Sequence, residues 1–276
     1  MFGKQPTRTI LCPSCGRLTR ADADECLICG RRRPGMWGLS DVFRRLFRTG
    51  SPTNLITIAC IALYVLSLLF DPAGALHPRG PFEVFSPSSG ALHALGATGA
   101  FPWAQGEWWT LFTAIYLHGG LLHILFNVLW IRQLGPAVEE LYGPARFFVI
   151  FTISGVVGFV VSNAVGVAFT VGASGSIFGL LGAMVAFGRR RGGVFGTMVL
   201  RQYGQWALLL FVFGFFMSGV NNLAHLGGFI GGLGAGLVIS LAERRTETTV
   251  DHLLAGACIL VTVFAFALAL YTAFLG

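Results

Sequence analysis

The chain has 276 residues, of which 54% are hydrophobic and only 11% are charged. Soluble domains carry charges on about a quarter of their residues, so this composition, with a mean hydropathy of +0.72, excludes an ordinary soluble globular protein. It predicts instead a polytopic protein of the lipid bilayer. The formal net charge of +7 can be interpreted only once the basic residues are placed on one side of that bilayer.

Two Cys-x-x-Cys-Gly motifs with ten residues between them lie near the N-terminus, and their cysteines are Cys12, Cys15, Cys26 and Cys29. This spacing lets four thiolates bind one Zn²⁺ ion tetrahedrally, and thiols stay reduced in a cytoplasmic setting. We therefore predict a zinc ribbon over residues 1–33, with disulfides or a redox dithiol as the alternative. The expected role of the ion is structural, because so small a module cannot build a core. The sequence identifies no partner for the ribbon, and a basic stretch over residues 34–53 is expected to link it to the membrane part.

Apolar runs of about 17 to 24 residues, the length that a membrane-spanning helix needs, begin near Leu55, Gly120, Arg146, Gly172, Gln205, Asn222 and His252. These runs are too long for barrel strands, so we predict an all-α polytopic membrane protein with seven spanning helices. The first six form a helical core over residues 54–242. The seventh, within residues 243–276, is expected to be an additional transmembrane helix.

The basic residues predict the orientation of the chain. With a cytoplasmic N-terminus, all but Arg79 of the 19 lysines and arginines lie on the cytoplasmic side, in agreement with the positive-inside rule. The C-terminus is then outside, and the net charge reflects topology, so we expect no nucleic-acid partner. Because the first 50 residues are polar, we expect no cleavable signal peptide. The Arg-rich, Lys-poor composition favours a bacterial plasma (inner) membrane.

The segment between the first two spans, residues 71–118, combines proline and glycine with several tryptophans. This composition is typical of a loop partly sunk into the outer headgroup region. His118 ends the loop. His123 and Asn127 follow in the second span, and their i, i+4 spacing places them on one helical face, where they are suitable side-chain donors to a developing oxyanion.

A serine and a histidine complete the polar residues expected in the outer half of the membrane. Ser174 lies near the outer end of the fourth span and His225 near the outer end of the sixth, and buried polar groups need partners. Glycines at close-packing spacing on both spans, among them Gly175 and Gly228, would let the two helices approach. We therefore predict a serine nucleophile hydrogen-bonded to its base, with the Ser174 backbone N–H as a further oxyanion donor.

These segments resemble the motifs of the rhomboid intramembrane serine proteases, over roughly residues 54–242. His118-Gly-Gly-Leu-Leu-His123-Ile-Leu-Phe-Asn127 is similar to their second-helix motif, and Gly172-Ala-Ser174-Gly175 to their nucleophile motif. Ala224-His225-Leu-Gly-Gly228-Phe-Ile-Gly-Gly232 is similar to their AHxxGxxxG motif. The resemblance implies a compact six-helix bundle around a water-filled cavity that opens to the outside.

The resemblance also implies a role for each matched residue. Ser174 would be the nucleophile and His225 its general base and acid. His123 and Asn127 would donate hydrogen bonds to the oxyanion, and His118 would help to organise the first loop.

Two positions depart from the family pattern. Phe178 stands where some members have a tyrosine that stacks on the catalytic histidine, a change that still allows stacking. Thr110 follows Trp108-Trp109 where many members have arginine, which affects only a loop contact.

The outer halves of the core spans carry no Asp or Glu, and the chain has no His-Glu-x-x-His motif. This excludes an aspartyl intramembrane protease and argues against a zinc protease or a proton-coupled transporter. We therefore expect a Ser-His dyad without a catalytic cofactor. The predicted reaction is hydrolysis of a peptide bond in or next to a transmembrane segment of another membrane protein, near the outer face of the membrane. The alternative is a catalytically inactive rhomboid-like protein that binds membrane clients, and the lack of inverted repeats disfavours a channel or transporter.

Overall fold

The structure is a computed structural model that describes residues 9–12, 17–20, 23–30, 51–72, 85–217, 219–239 and 246–275. Near the N-terminus, strands β1 (Thr9–Leu11) and β2 (Leu18–Arg20) form an antiparallel pair. The helices that follow are α1 (Pro52–Phe70), the short α2 (Ser89–Ala94), α3 (Ala100–Ala104) and α4 (Thr110–Thr113), then α5 (Leu121–Tyr142), α6 (Pro144–Ala164), α7 (Ser174–Arg191), α8 (Gly193–Gly214), α9 (Asn222–Val238) and α10 (Thr249–Phe274).

The prediction of an all-α membrane protein is confirmed, since the described elements beyond the β1–β2 pair are helices. Four of them, α1, α5, α6 and α10, are long and apolar enough to cross a membrane. A fifth, α9, is apolar but has only 17 residues. The number of seven spans therefore stays a prediction.

Helix α8 begins well before the apolar run that predicts the fifth span near Gln205. Gly192 and Gly193 both have φ +64° and turn the chain directly after α7, so α8 starts at Gly193. Arg201 and Gln202 are exposed within the helix, and exposed polar residues of this kind do not interrupt a helix. The helix thus begins about three helical turns before the apolar run that predicts the fifth span.

Helices α7 and α9 are in direct backbone contact along a line of glycines. A Cβ atom on Gly228 would overlap the carbonyl oxygen of Gly175, and one on Gly232 would overlap that of Gly179. On its other side α9 meets α6, where a Cβ atom on Gly158 would press on the α9 backbone. Small residues are needed for such contacts, because lipid supplies no hydrophobic force between membrane helices and close packing has to hold them together. Helix α9 is therefore fixed between two neighbours.

Helix α10 is joined to the core along its length. Near its start, the buried Arg146 guanidinium forms an ion pair of 2.9 Å with Asp251. Glu247 Oε1 accepts hydrogen bonds from the first backbone N–H groups of α6, which caps that helix. Further along, Phe266 packs against a small buried cluster that includes Leu92 of α2. Helix α10 and the residues just before it therefore support both the start of α6 and the segment between α1 and α5.

The segment predicted as an interfacial loop contains α2, α3 and α4, and it is tied to the bundle. Thr98 pairs with Thr170 in an isolated β-bridge, and Asn163 Nδ2 donates to Thr98 Oγ1 at 2.9 Å. Trp103 and Trp108 remain 38% and 43% exposed, as aromatic side chains at a headgroup region are. The loop is thereby anchored to the residues that precede α7.

Gly232→Ala tests the contact between α7 and α9. The added methyl group would collide with backbone rather than with a flexible side chain, so we expect a loss of about 1–3 kcal/mol in the free energy of unfolding, measured as a lower midpoint of thermal unfolding in detergent. Gly234→Ala is the matched control, because no atom lies within 4 Å of a Cβ at that position. Equal midpoints for the two variants would contradict the backbone contact.

Candidate functional site

Ser174 and His225 lie at the N-terminal ends of the two contacting helices. Ser174 is the first residue of α7, and His225 lies in the first turn of α9. His225 Nε2 and Ser174 Oγ are 2.9 Å apart, which is a hydrogen-bond distance. The structure thus brings together the two residues that the sequence pairs as nucleophile and base.

Phe178 holds the plane of the His225 imidazole. It lies one turn after Ser174 on α7, and its ring stacks on the imidazole with centroids 4.3 Å apart and planes 14° apart. Phenylalanine therefore supplies an aromatic contact at the position where the chain departs from tyrosine. Because His225 is only 6% exposed, such contacts within the protein set the orientation of its ring.

Two asparagines at the start of α9 complete the surroundings of His225, and none of the motifs above includes them. Asn222 Oδ1 lies 3.2 Å from His225 Nδ1. Asn221 is the N-cap of α9, and its Nδ2 donates to Thr170 Oγ1 at 3.1 Å, so it links the start of α9 to the segment before Ser174. An asparagine directly before an apolar helix is an N-cap signal, and that signal points to Asn221. No sequence signal shows the contact of Asn222.

His123 faces the segment just before Ser174. The Gly119 backbone N–H donates to His123 Nδ1 at 3.3 Å, so in the neutral ring the proton is on Nε2. A Cβ atom on Gly172 would lie 2.6 Å from that Nε2, and Gly172 has φ +129°, a backbone conformation that favours glycine. His123 therefore presents an N–H donor beside the start of α7.

His118 and Asn127 lie behind His123. The His118 Nδ1–H donates to the Tyr116 carbonyl at 3.2 Å, and the fully buried His118 ring packs edge-on against His123 with centroids 5.1 Å apart. Asn127 is buried, and its Nδ2 donates to the His123 carbonyl of the same helix at 2.8 Å. The structure therefore places Asn127 next to His123 but gives it no hydrogen bond to Ser174.

The predicted loop position Thr110 has its own local partners. Its Oγ1 lies 2.7 Å from the Glu107 carbonyl, to which it donates, and 3.0 Å from Thr98 Oγ1. Threonine thus makes short hydrogen bonds within the first loop where the family pattern has arginine.

Three of the four predicted metal-binding cysteines lie together beside the β1–β2 pair. The sulfur atoms of Cys12, Cys26 and Cys29 are all within 4.8 Å of one another, whereas Cys15 lies outside the described residues. Hydrogen bonds from the backbone N–H groups of Ile28 and Cys29 lower the pKa of the Cys26 thiol, which favours the thiolate that binds metals. The group could hold a metal ion.

Comparison with known proteins identifies the family. A family model of the rhomboid domain matches residues 105–242, half of the chain. This chain belongs to the rhomboid family. Rhomboid protease GluP of Bacillus subtilis is 37% identical over 204 residues, which are 72% of this chain and 37% of GluP. RHOMBOID-like protein 5 of Arabidopsis thaliana is 34% identical over 70% of this chain and 64% of its own length. Rhomboid protease GlpG of Salmonella typhi is 31% identical over 72% of this chain and 66% of its own length.

Membership of the rhomboid family makes this chain an integral membrane protein. The chain spans little more than a third of GluP and just under two thirds of the two other relatives. The matched domain contains Ser174, His225, His123 and Asn127, and the N-terminal cysteines lie before it.

Gly172→Ala tests the approach of His123 to Ser174. The added Cβ would press on His123 Nε2, so we expect the labelling of the protein by a fluorophosphonate, a reagent for activated serines, to slow by about tenfold or more. Gly166→Ala is the matched control: Gly166 also has a positive φ, +93°, but nothing lies within 4 Å of a Cβ there. Labelling at equal rates by both folded variants would argue against this role of Gly172.

Proposed function

We propose that this chain is an intramembrane serine endopeptidase that hydrolyses peptide bonds in or next to transmembrane segments of other membrane proteins. The observation that carries the proposal is the 2.9 Å contact between Ser174 and His225 inside the segment that matches the rhomboid domain. A serine hydroxyl becomes a useful nucleophile only beside a base that can take its proton. The names of GluP and GlpG as rhomboid proteases support the same assignment.

The proposed reaction follows from the hydrogen bond between Ser174 Oγ and His225 Nε2. As Ser174 Oγ attacks the carbonyl carbon of the scissile bond, its proton passes to His225 Nε2. The tetrahedral intermediate collapses when His225 gives that proton to the leaving amine and the C–N bond breaks. Water, deprotonated by His225, then attacks the acyl carbon. The bond from that carbon to Ser174 Oγ breaks, His225 returns the proton to Ser174 Oγ, and the new carboxyl terminus leaves. No metal or organic cofactor takes part in this sequence.

Three donors are suited to the oxyanion. His123 Nε2–H faces the segment before Ser174, as the contact with Gly172 indicates. Asn127 uses one amide hydrogen for the His123 carbonyl and has a second to donate. The Ser174 backbone N–H belongs to the first residue of α7, where N–H groups have no acceptor within the helix and the helix dipole favours negative charge.

The predicted membrane topology indicates on which side of the membrane the reaction takes place. Seven spans with a cytoplasmic N-terminus place nearly all basic residues inside and the C-terminus outside. Helices α7 and α9 then begin at the outer side, so Ser174 and His225 act near the outer face of a plasma membrane. The Arg-rich, Lys-poor composition of the chain favours a bacterial inner membrane. The substrate has to unwind locally, because a helix shields its own carbonyl groups.

Cleavage of a model transmembrane substrate in detergent tests the proposed reaction. We expect Ser174→Ala and His225→Ala each to lower kcat by about a thousandfold or more, since residues that act as a unit are each indispensable. Ser176→Ala is the control, because Ser176 is buried two residues further along α7 and takes no part in the reaction. If Ser174→Ala cleaves as fast as wild type, the proposal is wrong. Binding without cleavage by wild type would indicate the client-binding alternative.

We also propose that Cys12, Cys15, Cys26 and Cys29 bind one structural Zn²⁺ ion in a ribbon formed by residues 1–33, joined through residues 34–53 to the core at 54–242 and the helix at 243–276. The close sulfur atoms of three of these cysteines and the lowered pKa of Cys26 support a thiolate site. Thiolate ligands and tetrahedral geometry suit zinc better than harder cations.

Metal analysis of the purified protein tests the zinc site. We expect one zinc ion for each wild-type chain and loss of most of that zinc in Cys26→Ser, because a hydroxyl is a poor ligand at neutral pH. Cys60→Ser is the control, since Cys60 is buried within α1. Retention of zinc by Cys26→Ser, or its absence from wild type prepared without chelators, would contradict the assignment.

A further inference from the structure

We propose that Asn222 is a positioning residue that holds His225 in the tautomer able to accept the proton of Ser174. The inference rests on the proposed function and adds to it a group beyond the dyad. Asn222 is the first residue of α9 and lies one turn before His225. At i, i+3 the two side chains share a helical face.

The orientation of the Asn222 amide follows from its second partner. Asn222 Nδ2 lies 3.3 Å from the backbone carbonyl oxygen of Phe211 in α8. A carbonyl oxygen can only accept a hydrogen bond, so the amide nitrogen has to face Phe211 and the amide oxygen has to face His225. The contact with another helix therefore decides which atom of Asn222 meets the imidazole.

The tautomer of His225 follows in turn. Asn222 Oδ1, 3.2 Å from His225 Nδ1, carries no hydrogen, so Nδ1 has to donate and thus carries the proton of the neutral ring. His225 Nε2 then has a free lone pair. The Ser174 hydroxyl, 2.9 Å away, donates to it, which is the arrangement that general-base catalysis requires. With the other tautomer, Nε2 would carry hydrogen and could not take the proton.

Helix α8 also leaves space for this amide. A Cβ atom on Gly214, the last residue of α8, would overlap Asn222 Oδ1. Any side chain at Gly214 would therefore push the amide oxygen from its place beside His225. Phe211 and Gly214 together make α8 the support of the asparagine.

The partner of His225 is neutral, unlike the carboxylate of a serine protease triad. Among the described residues, the side-chain hydrogen bonds of His225 go to Ser174 and Asn222, and Phe178 covers a face of its ring. An amide fixes the tautomer as well as a carboxylate does, but it adds no full negative charge to stabilise the imidazolium. Asn222 therefore acts through orientation.

Three substitutions separate this role from a general structural one. Asn222→Leu removes the acceptor, and we expect fluorophosphonate labelling and the kcat for a model transmembrane substrate to fall about tenfold or more with little change in KM. Asn222→Asp keeps an acceptor oxygen and is expected to label several-fold faster than Asn222→Leu. Gly214→Ala leaves Asn222 in place but displaces its amide, so labelling should again fall. Gly204→Ala, with nothing within 4 Å of a Cβ on the same helix, should match wild type.

Imidazole ¹⁵N spectra of His225 read the tautomer without any catalysis. In a Ser174→Ala background we expect a protonated Nδ1 and an unprotonated Nε2, and a mixture of tautomers once Asn222→Leu is added. Wild type that shows this tautomer but never labels would overturn the proposed function and leave the inference standing.

The inference is overturned if folded Asn222→Leu labels at the wild-type rate, if Asn222→Asp is as slow as Asn222→Leu, or if Nε2 carries the proton while Asn222 is present. If Asn222→Leu does not fold, two other measurements test the inference. These are the fluorophosphonate labelling of Gly214→Ala and the imidazole ¹⁵N spectrum of His225 in the protein that retains Asn222.

Discussion

Backbone contact between α7 and α9 is the constraint on which the site depends. The glycines at 228 and 232 let α9 approach the backbone of α7 at Gly175 and Gly179 so closely that a methyl group on either would overlap a carbonyl oxygen. Both helices begin at the same end of the bundle. Ser174 is the first residue of α7, and His225 is the fourth residue of α9. Because membrane helices associate through packing rather than through a hydrophobic force, the distance between serine and histidine is set by the same contact that holds the bundle together.

Neutral groups orient the histidines of this site. His123 receives the Gly119 N–H on Nδ1 and so presents Nε2–H, whereas His225 meets the Asn222 amide oxygen and so presents an unprotonated Nε2. Two imidazoles with opposite tautomers thus lie near the start of α7, His225 beside Ser174 and His123 beside Gly172, one suited to accept a proton and the other to donate a hydrogen bond. Neighbouring hydrogen bonds produce this difference between the two tautomers. Among the described residues of the site no buried carboxylate is involved, and an additional charge inside the membrane would be energetically costly.

The pairing of Ser174 with His225 could be predicted from the sequence because both lie at helix starts and both are followed by glycines at close-packing spacing. The helical class and the family could be predicted for the same reason, since they depend on local composition and short motifs. The start of α8 could not, because two glycines with positive φ decide it. The role of Asn222 depends on Phe211, which is eleven residues away on another helix, and no local pattern shows which way an amide points. The helices α2 to α4 also depend on distant packing, as the packing of Phe266 against the buried cluster that includes Leu92 illustrates.

Mass-spectrometric mapping of the fluorophosphonate adduct tests the central claim most directly. The wild-type protein and His225→Ala are treated with the reagent in detergent, digested, and examined for every modified serine. The account predicts one phosphonylated residue, Ser174, in wild type and no adduct in folded His225→Ala. An adduct on another serine such as Ser154 or Ser176, or a Ser174 adduct that forms equally well without the His225 imidazole, would contradict it.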